Sequence, residues 1–346
     1  MSSPRGRMID DFEAYLTQTV PIVERELAEF IETEREVPNL HDALRYSLGL
    51  DVEDRRFRGK RIRPVLALLA CESLGGTVEQ AMPFAVATEL LHNFLLTHDD
   101  IQDGDEMRHD RATVWKKYGF GHGINVGDYL FAKMYESALG TLKFGIDEKA
   151  VIRLVELLTQ TVNHTGEGQA MDISARQRKD LTADEYLETV IEKTGYYLAC
   201  PIQGGALIGG ASEDVLRNLE SYGKHIGPVF QIRDDIIDMT MGKGRGERGS
   251  DIKEGKRSLL VVIAAGNCTD EEREELFAVL DRPRAETSDE DVQRVFEIFR
   301  RHRAAERAEE IAQDFLGKCN RALEKLPSPL MENIQVASDF MLSRKK

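Results

Sequence analysis

Glu89-Leu90-Leu91-His92-Asn93-Phe94-Leu95-Leu96-Thr97-His98-Asp99-Asp100-Ile101-Gln102-Asp103 is the stretch on which the reading of this chain turns. Its apolar residues recur at helical spacing, with no Gly or Pro in the stretch. At about 100° per residue, Asp99 and Asp103 fall one turn apart on a single helix face, and His92 lies within about 20° of Asp99, two turns earlier. Leu95 shares that face. The same acidic spacing returns 135 positions later as Asp234-Asp235-Ile236-Ile237-Asp238, with Gln231 four residues before Asp235. Carboxylates crowded on one face repel one another unless a cation lies among them. An all-oxygen set suits Mg²⁺, which keeps positions open for water and substrate phosphate. Two such faces point to a metal-bridged diphosphate. The opposing reading, ordinary solvated faces on an acidic chain, accounts for one copy more readily than for two copies in apolar helices.

The rest of the composition narrows the partners. Lys plus Arg number 46 against 61 Asp plus Glu, a formal charge of −15, which disfavours nucleic acid and requires a local basic site for any anionic substrate. Four scattered cysteines, Cys71, Cys200, Cys268 and Cys319, argue against zinc sites and disulfides and for a reducing, cytoplasmic location. The N-terminus lacks the apolar core of a secretory signal. The longest uncharged run, Thr194 to Ser212, includes Pro201, Gln203 and several glycines, and reads as a buried core helix rather than a membrane span.

Helical periodicity dominates, with no period-two strand and no Asn-Gly hairpin signal, so the fold is expected to be all-α. A first helix is expected over residues 8–37, interrupted near Pro21, and a second from Leu40. Arg58-Gly59-Lys60-Arg61-Ile62-Arg63-Pro64 precedes the apolar run Val65–Ala70; Pro64 suits a first helical turn, which sets the basic cluster at a helix N-terminus, an anion site. Residues 119–125, with three glycines, read as a loop, and Gly127-Asp128 as a helix start. A helix from Asp147 to about Thr165 leads to Gly168-Gln169-Ala170-Met171-Asp172. Thr182 and Glu185 have the spacing of a capping box, and Lys193-Thr194 follow on that helix. Gly227-Pro228 separates a helical region from the second acidic helix, Val229–Met239. The basic loop Gly242–Gly249 contains a formal GxGxxG with no strand before it. The Gly249 to Gly255 spacing is too long for a Walker A loop, and Arg257 follows Lys256 where Ser or Thr belongs. A phosphate lid is the remaining reading. Beyond Asp270 the chain reads as charged helical scaffold.

Taken in order, GKRIRP at 59–64, ELLHNFLLTHDDIQD at 89–103, GD at 127–128, GQAMD at 168–172, KT at 193–194, FQIRDDIID at 230–238 and GSDIKEGKRS at 249–258 resemble the trans-isoprenyl diphosphate synthases. Phe94 and Leu95, five and four positions before Asp99, resemble the archaeal type of geranylgeranyl synthase. The resemblance implies a single isoprenoid synthase domain over residues 1–346, a helical bundle around a central cavity, with helices in 8–50 and 270–346 as scaffold. It implies a homodimeric, short-chain prenyltransferase that condenses isopentenyl diphosphate with an allylic diphosphate, releasing geranylgeranyl (C20) or farnesyl (C15) diphosphate. In that family Asp99, Asp100, Asp103, Asp234, Asp235 and Asp238 would hold three Mg²⁺ ions on the allylic diphosphate, contacted also by Arg108, Lys193, Thr194, Gln231 and Lys256. Lys60, Arg63, His92 and position 109 would bind isopentenyl diphosphate. Phe94 and Leu95 would limit chain length, although ideal geometry sets Phe94 about 140° from Asp99, and core packing stays open as its role.

One stretch departs from the family's Arg-Arg-Gly-x-Pro-Thr: here it reads Arg108-His109-Asp110-Arg111-Ala112-Thr113. His109 replaces a permanent bidentate cation and Asp110 adds a negative charge, so isopentenyl diphosphate is expected to bind weakly or pH-dependently unless Arg111 substitutes. Two alternatives stay open. A non-catalytic regulatory subunit of a heteromeric synthase would fit those changes. A class I terpene cyclase shares the first acidic motif, but its second normally mixes Asn, Ser and Glu.

Overall fold

A computed structural model describes residues 6–32, 36–54, 58–240 and 248–343; residues 242–247 of the expected lid loop at 242–249, Lys243 among them, lie outside the described residues. In chain order the helices are α1 (Phe12–Ile31), α2 (Leu40–Ser47), α3 (Ile62–Ser73), α4 (Val78–Asp103), α5 (Val114–Tyr118), α6 (Phe120–Leu139), α7 (Glu148–Ala175) and α8 (Ala183–Val190). They continue with α9 (Tyr196–Ile208), α10 (Glu213–Thr240), α11 (Ser250–Lys253), α12 (Leu259–Ala265), α13 (Asp270–Leu280), α14 (Asp289–Arg301), α15 (Ala304–Leu323) and α16 (Ser328–Leu342). The fold is all-α, as expected. The chain divides into two compact units, one of residues 1–159, 200–219 and 325–343, the other of residues 160–199 and 220–324.

In the first unit α4 packs between α3 and α6. Thr77 caps α4 in a capping box with Gln80, and the helix continues through Pro83. Ala81, Phe84, Ala85, Ala87 and Leu90 are fully enclosed, which explains why this part of the helix is apolar on all sides. Several boundaries differ from the sequence reading, beginning with a first helix that spans Phe12–Ile31 rather than 8–37. Helix α1 runs through Pro21, because burial of Thr19, Val23 and Leu27 on one stripe outweighs the roughly 3 kcal/mol that an interior proline costs. Residues 120–125 are helical, not a loop: a Cβ at Gly123 would stand 2.9 Å from Ile101 Cδ1 and 3.0 Å from Trp115 Cβ, so this glycine lets α6 approach α4 and α5. Helix α7 extends to Ala175 and carries the GQAMD segment.

The first unit also holds the only strands among the described residues. Met107–Arg108 (β1) pairs antiparallel with Arg111–Ala112 (β2), Arg108 opposite Arg111. His109 and Asp110 form the turn with φ of 51° and 59°. Positive φ at both central positions is the type I′ hairpin turn; Asp and His tolerate it better than most residues, and a search for Asn-Gly misses it.

In the second unit α12 is buried along its whole length and packs against α8, α14 and α15. Helix α14 turns Val292, Val295, Phe296 and Phe299 inward and, apart from the buried Asp291 in its first turn, its charged residues outward. Helix α10 is continuous through Gly227-Pro228, so both flanking helical patterns belong to one helix. The capping box of Thr182 and Glu185 forms as expected. Between α8 and α9 the backbone takes a π-helical turn over Ile191–Gly195.

Candidate functional site

The first unit gathers the basic cluster and the first acidic face. The four basic residues at the start of α3, Arg58, Lys60, Arg61 and Arg63, divide into two pairs with different work. Arg61, 3% exposed, donates to Glu89 Oε1 at 2.6 Å. Arg58 donates to Glu24 Oε2 at 3.2 Å and to the Val52 carbonyl at 2.6 Å. Both arginines brace the scaffold, a use the sequence did not reveal, since the buried acids that claim them lie 28 and 34 residues away. Lys60 is exposed and Arg63 half-buried, its guanidinium 3.5 Å from His92 Nε2. Burial, then the charges of Arg63, Arg108, Arg61 and His109, hold the His92 imidazole well below its usual pKa, so it is neutral at pH 7. Converging cations around a neutral donor make an anion site.

On α4 itself, Asp99 and Asp103 are half-buried and Asp100 is buried. Arg108, on β1, lies 2.6 Å from Asp100 Oδ1, 3.5 Å from Asp99 and 3.9 Å from Asp105. Burial nevertheless pushes the Asp100 carboxyl up to about 6, with Asp105 and Asp99 adding to the rise against Arg108. A hard-oxygen set still short of positive charge fits a divalent cation. The only tryptophan, Trp115, donates its indole N–H to the carbonyls of Asp100 and Asp105, which fixes the end of this face.

Arg111 is not placed to replace the missing second arginine. It binds Asp51 at 2.6 Å and stacks over Tyr46 at 4.0 Å. His109 is exposed at the hairpin turn. Phe94 packs its ring 5.2 Å from Phe131 of α6, which in turn meets Tyr135 at 5.3 Å. Phe94 is half-buried, so it both joins this aromatic file and keeps an open side; Leu95 is half-buried beside it.

The second unit gathers the other acidic face. Its three aspartates are not equivalent. Asp234 is exposed, while Asp235 accepts from the Tyr186 hydroxyl at 2.7 Å, Gln231 Nε2 at 2.9 Å and the Leu259 N–H at 3.3 Å. Asp238 accepts from the Ser250 hydroxyl at 2.7 Å and from the N–H groups of Ser250 and Asp251. Helix periodicity sets Asp234 and Asp238 on one face, but only the tertiary fold shows that the start of α11 occupies Asp238. Lys193 Nζ lies 2.9 Å from Asp172, and Lys256 Nζ 3.5 Å from Asp251. Burial, then Asp235, Asp251 and Asp172, drive the Tyr186 hydroxyl far above its ordinary pKa, so it stays a donor to Asp235. Tyr186, Asp172 and Asp251 escaped the sequence reading as site residues, although the last two stand in motifs it singled out.

Lys193 and Thr194 sit on the π-turn, a feature often found at functional positions. Two glycines hold it. A Cβ at Gly168 of α7 would stand 2.3 Å from the Lys193 backbone nitrogen, and one at Gly227 of α10 would stand 2.8 Å from Gly195 Cα. The glycine of GQAMD therefore serves backbone contact with the turn that carries Lys193.

The sequence profile described as polyprenyl synthetase matches residues 53–299. The chain belongs to the polyprenyl synthetase family. A short chain isoprenyl diphosphate synthase of Methanothermobacter thermautotrophicus is 37% identical over 83% of this polyprenyl synthetase chain and 86% of its own. A geranylgeranyl diphosphate synthase of Saccharolobus solfataricus is 34% identical, over 83% and 87%. Among solved structures, the geranylgeranyl pyrophosphate synthetase of Pyrococcus horikoshii superposes with a TM-score of 0.84 at 29% identity, covering 96% of this chain and 99% of that one. Polyprenyl synthetases use a divalent metal and isoprenoid diphosphate substrates. No helix among the described residues is long and apolar enough to cross a membrane.

Proposed function

We infer that this polyprenyl synthetase is a short-chain trans-prenyltransferase, joining isopentenyl diphosphate head to tail to an allylic diphosphate and releasing geranylgeranyl diphosphate. One observation carries the reading: each unit keeps an acidic helix face, with Arg108 paired to Asp100 on the first, and in the second unit Lys193 paired to Asp172 and Lys256 to Glu254 and Asp251, whose N–H meets Asp238. A regulatory subunit has no use for both faces. The all-aspartate second motif and the basic cluster at Lys60 and Arg63 do not suit a terpene cyclase. The relatives named above, two of them geranylgeranyl synthases, favour C20 over C15.

We assign three Mg²⁺ ions to Asp99, Asp100 and Asp103 on the first face and Asp234 on the second. Asp235 and Asp238 align that second face through Tyr186, Gln231 and Ser250. Bound Mg²⁺ supplies positive charge to the diphosphate that leaves when the allylic C–O bond breaks. Arg108, Lys193, Thr194, Gln231 and Lys256 add charge and hydrogen bonds to that leaving group, most strongly as its charge develops. Lys60, Arg63 and neutral His92 hold isopentenyl diphosphate. Its double bond attacks the allylic carbon, and the departing diphosphate takes the proton. The family match runs through residues of both units, which supports reading the chain as one isoprenoid synthase domain. A homodimer is supported by the exposed apolar residues Leu139, Leu142, Phe144 and Ile152, and a cytoplasmic setting by four cysteines that form no disulfide. The test is incubation with Mg²⁺, labelled isopentenyl diphosphate and each of dimethylallyl, geranyl and farnesyl diphosphate, followed by product sizing. Elongation stopping at C20 is expected; no elongation with any primer would reject the reading.

Two substitutions probe the specificity residues. Phe94→Ala removes the ring that closes against Phe131 and is expected to shift product beyond C20, which chain-length analysis of the products would reveal; an unchanged distribution would leave Phe94 as packing alone. Since Arg111 is held by Asp51, the double variant His109→Arg with Asp110→Gly is expected to lower the KM for isopentenyl diphosphate severalfold. The glycine offsets the strain of a larger residue at positive φ, which costs roughly 1–2 kcal/mol. Steady-state kinetics with an unaltered KM would dismiss this.

A further inference from the structure

A second cluster of ligating side chains lies in the second unit, apart from the acidic motifs. His164 and Glu167 stand three residues apart on α7, and Glu192 sits in the π-turn. His164 Nδ1 is 2.5 Å from Glu192 Oε2, and one ligand atom from each of the three residues lies within 4.8 Å of the others. The imidazole lies flat on the Tyr196 ring, with centroids 3.6 Å apart and planes 1° apart, so its orientation is set by packing. Glu167 is exposed and the other two are half-buried, leaving room for water as a further ligand.

We propose that His164, Glu167 and Glu192 bind a borderline divalent transition ion of the Zn²⁺ class. A histidine–glutamate ion pair by itself accounts for two of the three groups. It gives no reason for a second carboxylate at the same point, where two negative charges face one imidazole. One nitrogen and two carboxylate oxygens with an open position form a donor set that suits Zn²⁺, whereas Mg²⁺ prefers oxygen throughout. The site has a structural consequence. Glu192 precedes Lys193, and Glu167 precedes Gly168, whose backbone packs on Lys193. The ion therefore ties α7 to the π-turn at the place where the turn presents Lys193 and Thr194.

Tag-free, metal-stripped full-length protein titrated with Zn²⁺ in excess Mg²⁺ tests this by calorimetry, independently of prenyl transfer. Excess Mg²⁺ occupies the all-oxygen faces. One Zn²⁺ per chain is expected, with affinity at least about tenfold weaker in each of His164→Ala, Glu167→Gln and Glu192→Gln. Thermal unfolding should rise with Zn²⁺ in the wild type and stay flat in the variants, because ligand bound only to the folded state stabilises it. Glu167→Gln changes an exposed side chain and so separates loss of the site from loss of the fold. No Zn²⁺ uptake in excess Mg²⁺, or equal uptake by the wild type and all three variants, overturns the proposal.

Discussion

Asp99→Asn and Asp234→Asn are each expected to lower the kcat for elongation by about 10²–10³-fold, with circular dichroism unchanged. Both replace a carboxylate by an amide of the same shape. Asp99 is half-buried and Asp234 exposed, so neither change empties a packed core. Under the proposed assignment, what each would remove is one unit of negative charge and one hard oxygen from a metal-binding face, at the step where the allylic diphosphate gains its leaving charge. The pair is informative because the two residues lie in different units. If both faces serve one diphosphate, each single variant is nearly inactive. Retention of wild-type elongation by either variant would remove that face from the mechanism. Asp238→Asn provides the contrast. Asp238 accepts three hydrogen bonds from Ser250 and Asp251, so its loss is expected chiefly as a lower Tm.

Gly168→Ala is expected to destabilise the protein by about 1–3 kcal/mol and to raise the KM for the allylic diphosphate while that for isopentenyl diphosphate holds. The added methyl would meet the Lys193 N at 2.3 Å and its Cα at 2.7 Å. Those are backbone atoms, and no rotamer change moves them aside. Either α7 or the π-turn must shift, and Lys193 moves with the turn. Gly166→Ala, two residues away on the same helix, is the matched control: nothing lies within 4 Å of its Cβ. In an exposed helix interior alanine is favoured over glycine by roughly 0.5–1 kcal/mol, so this variant should melt at or above the wild type. Equal melting of the two alanine variants, with unchanged KM in both, would defeat the packing argument.

The motifs that mark this family were open to inspection because they are local. Asp99 to Asp103 and Asp234 to Asp238 declare themselves by spacing along a helix, and the capping box at Thr182 and Glu185 by spacing along four residues. Local spacing misleads where tertiary burial and close helix approach carry a helix through its proline and glycine, as at Pro21, at residues 120–125 and at Gly227-Pro228. The hairpin at His109-Asp110 was missed because its turn lacks glycine.

Chemical identity was thus a property of the sequence: the all-α class, the two acidic faces, the basic cluster and the altered stretch at His109. Allocation of the individual charges belonged to the tertiary structure. Arg61 and Arg63 are two residues apart, yet Arg61 is consumed by Glu89 while Arg63 approaches His92. Asp234 and Asp238 share a helix face, yet Asp238 is claimed by the start of α11 while Asp234 stays exposed. Whether a charged side chain braces the scaffold or meets a substrate depends on partners brought from distant parts of the chain, and helix periodicity carries no information about them.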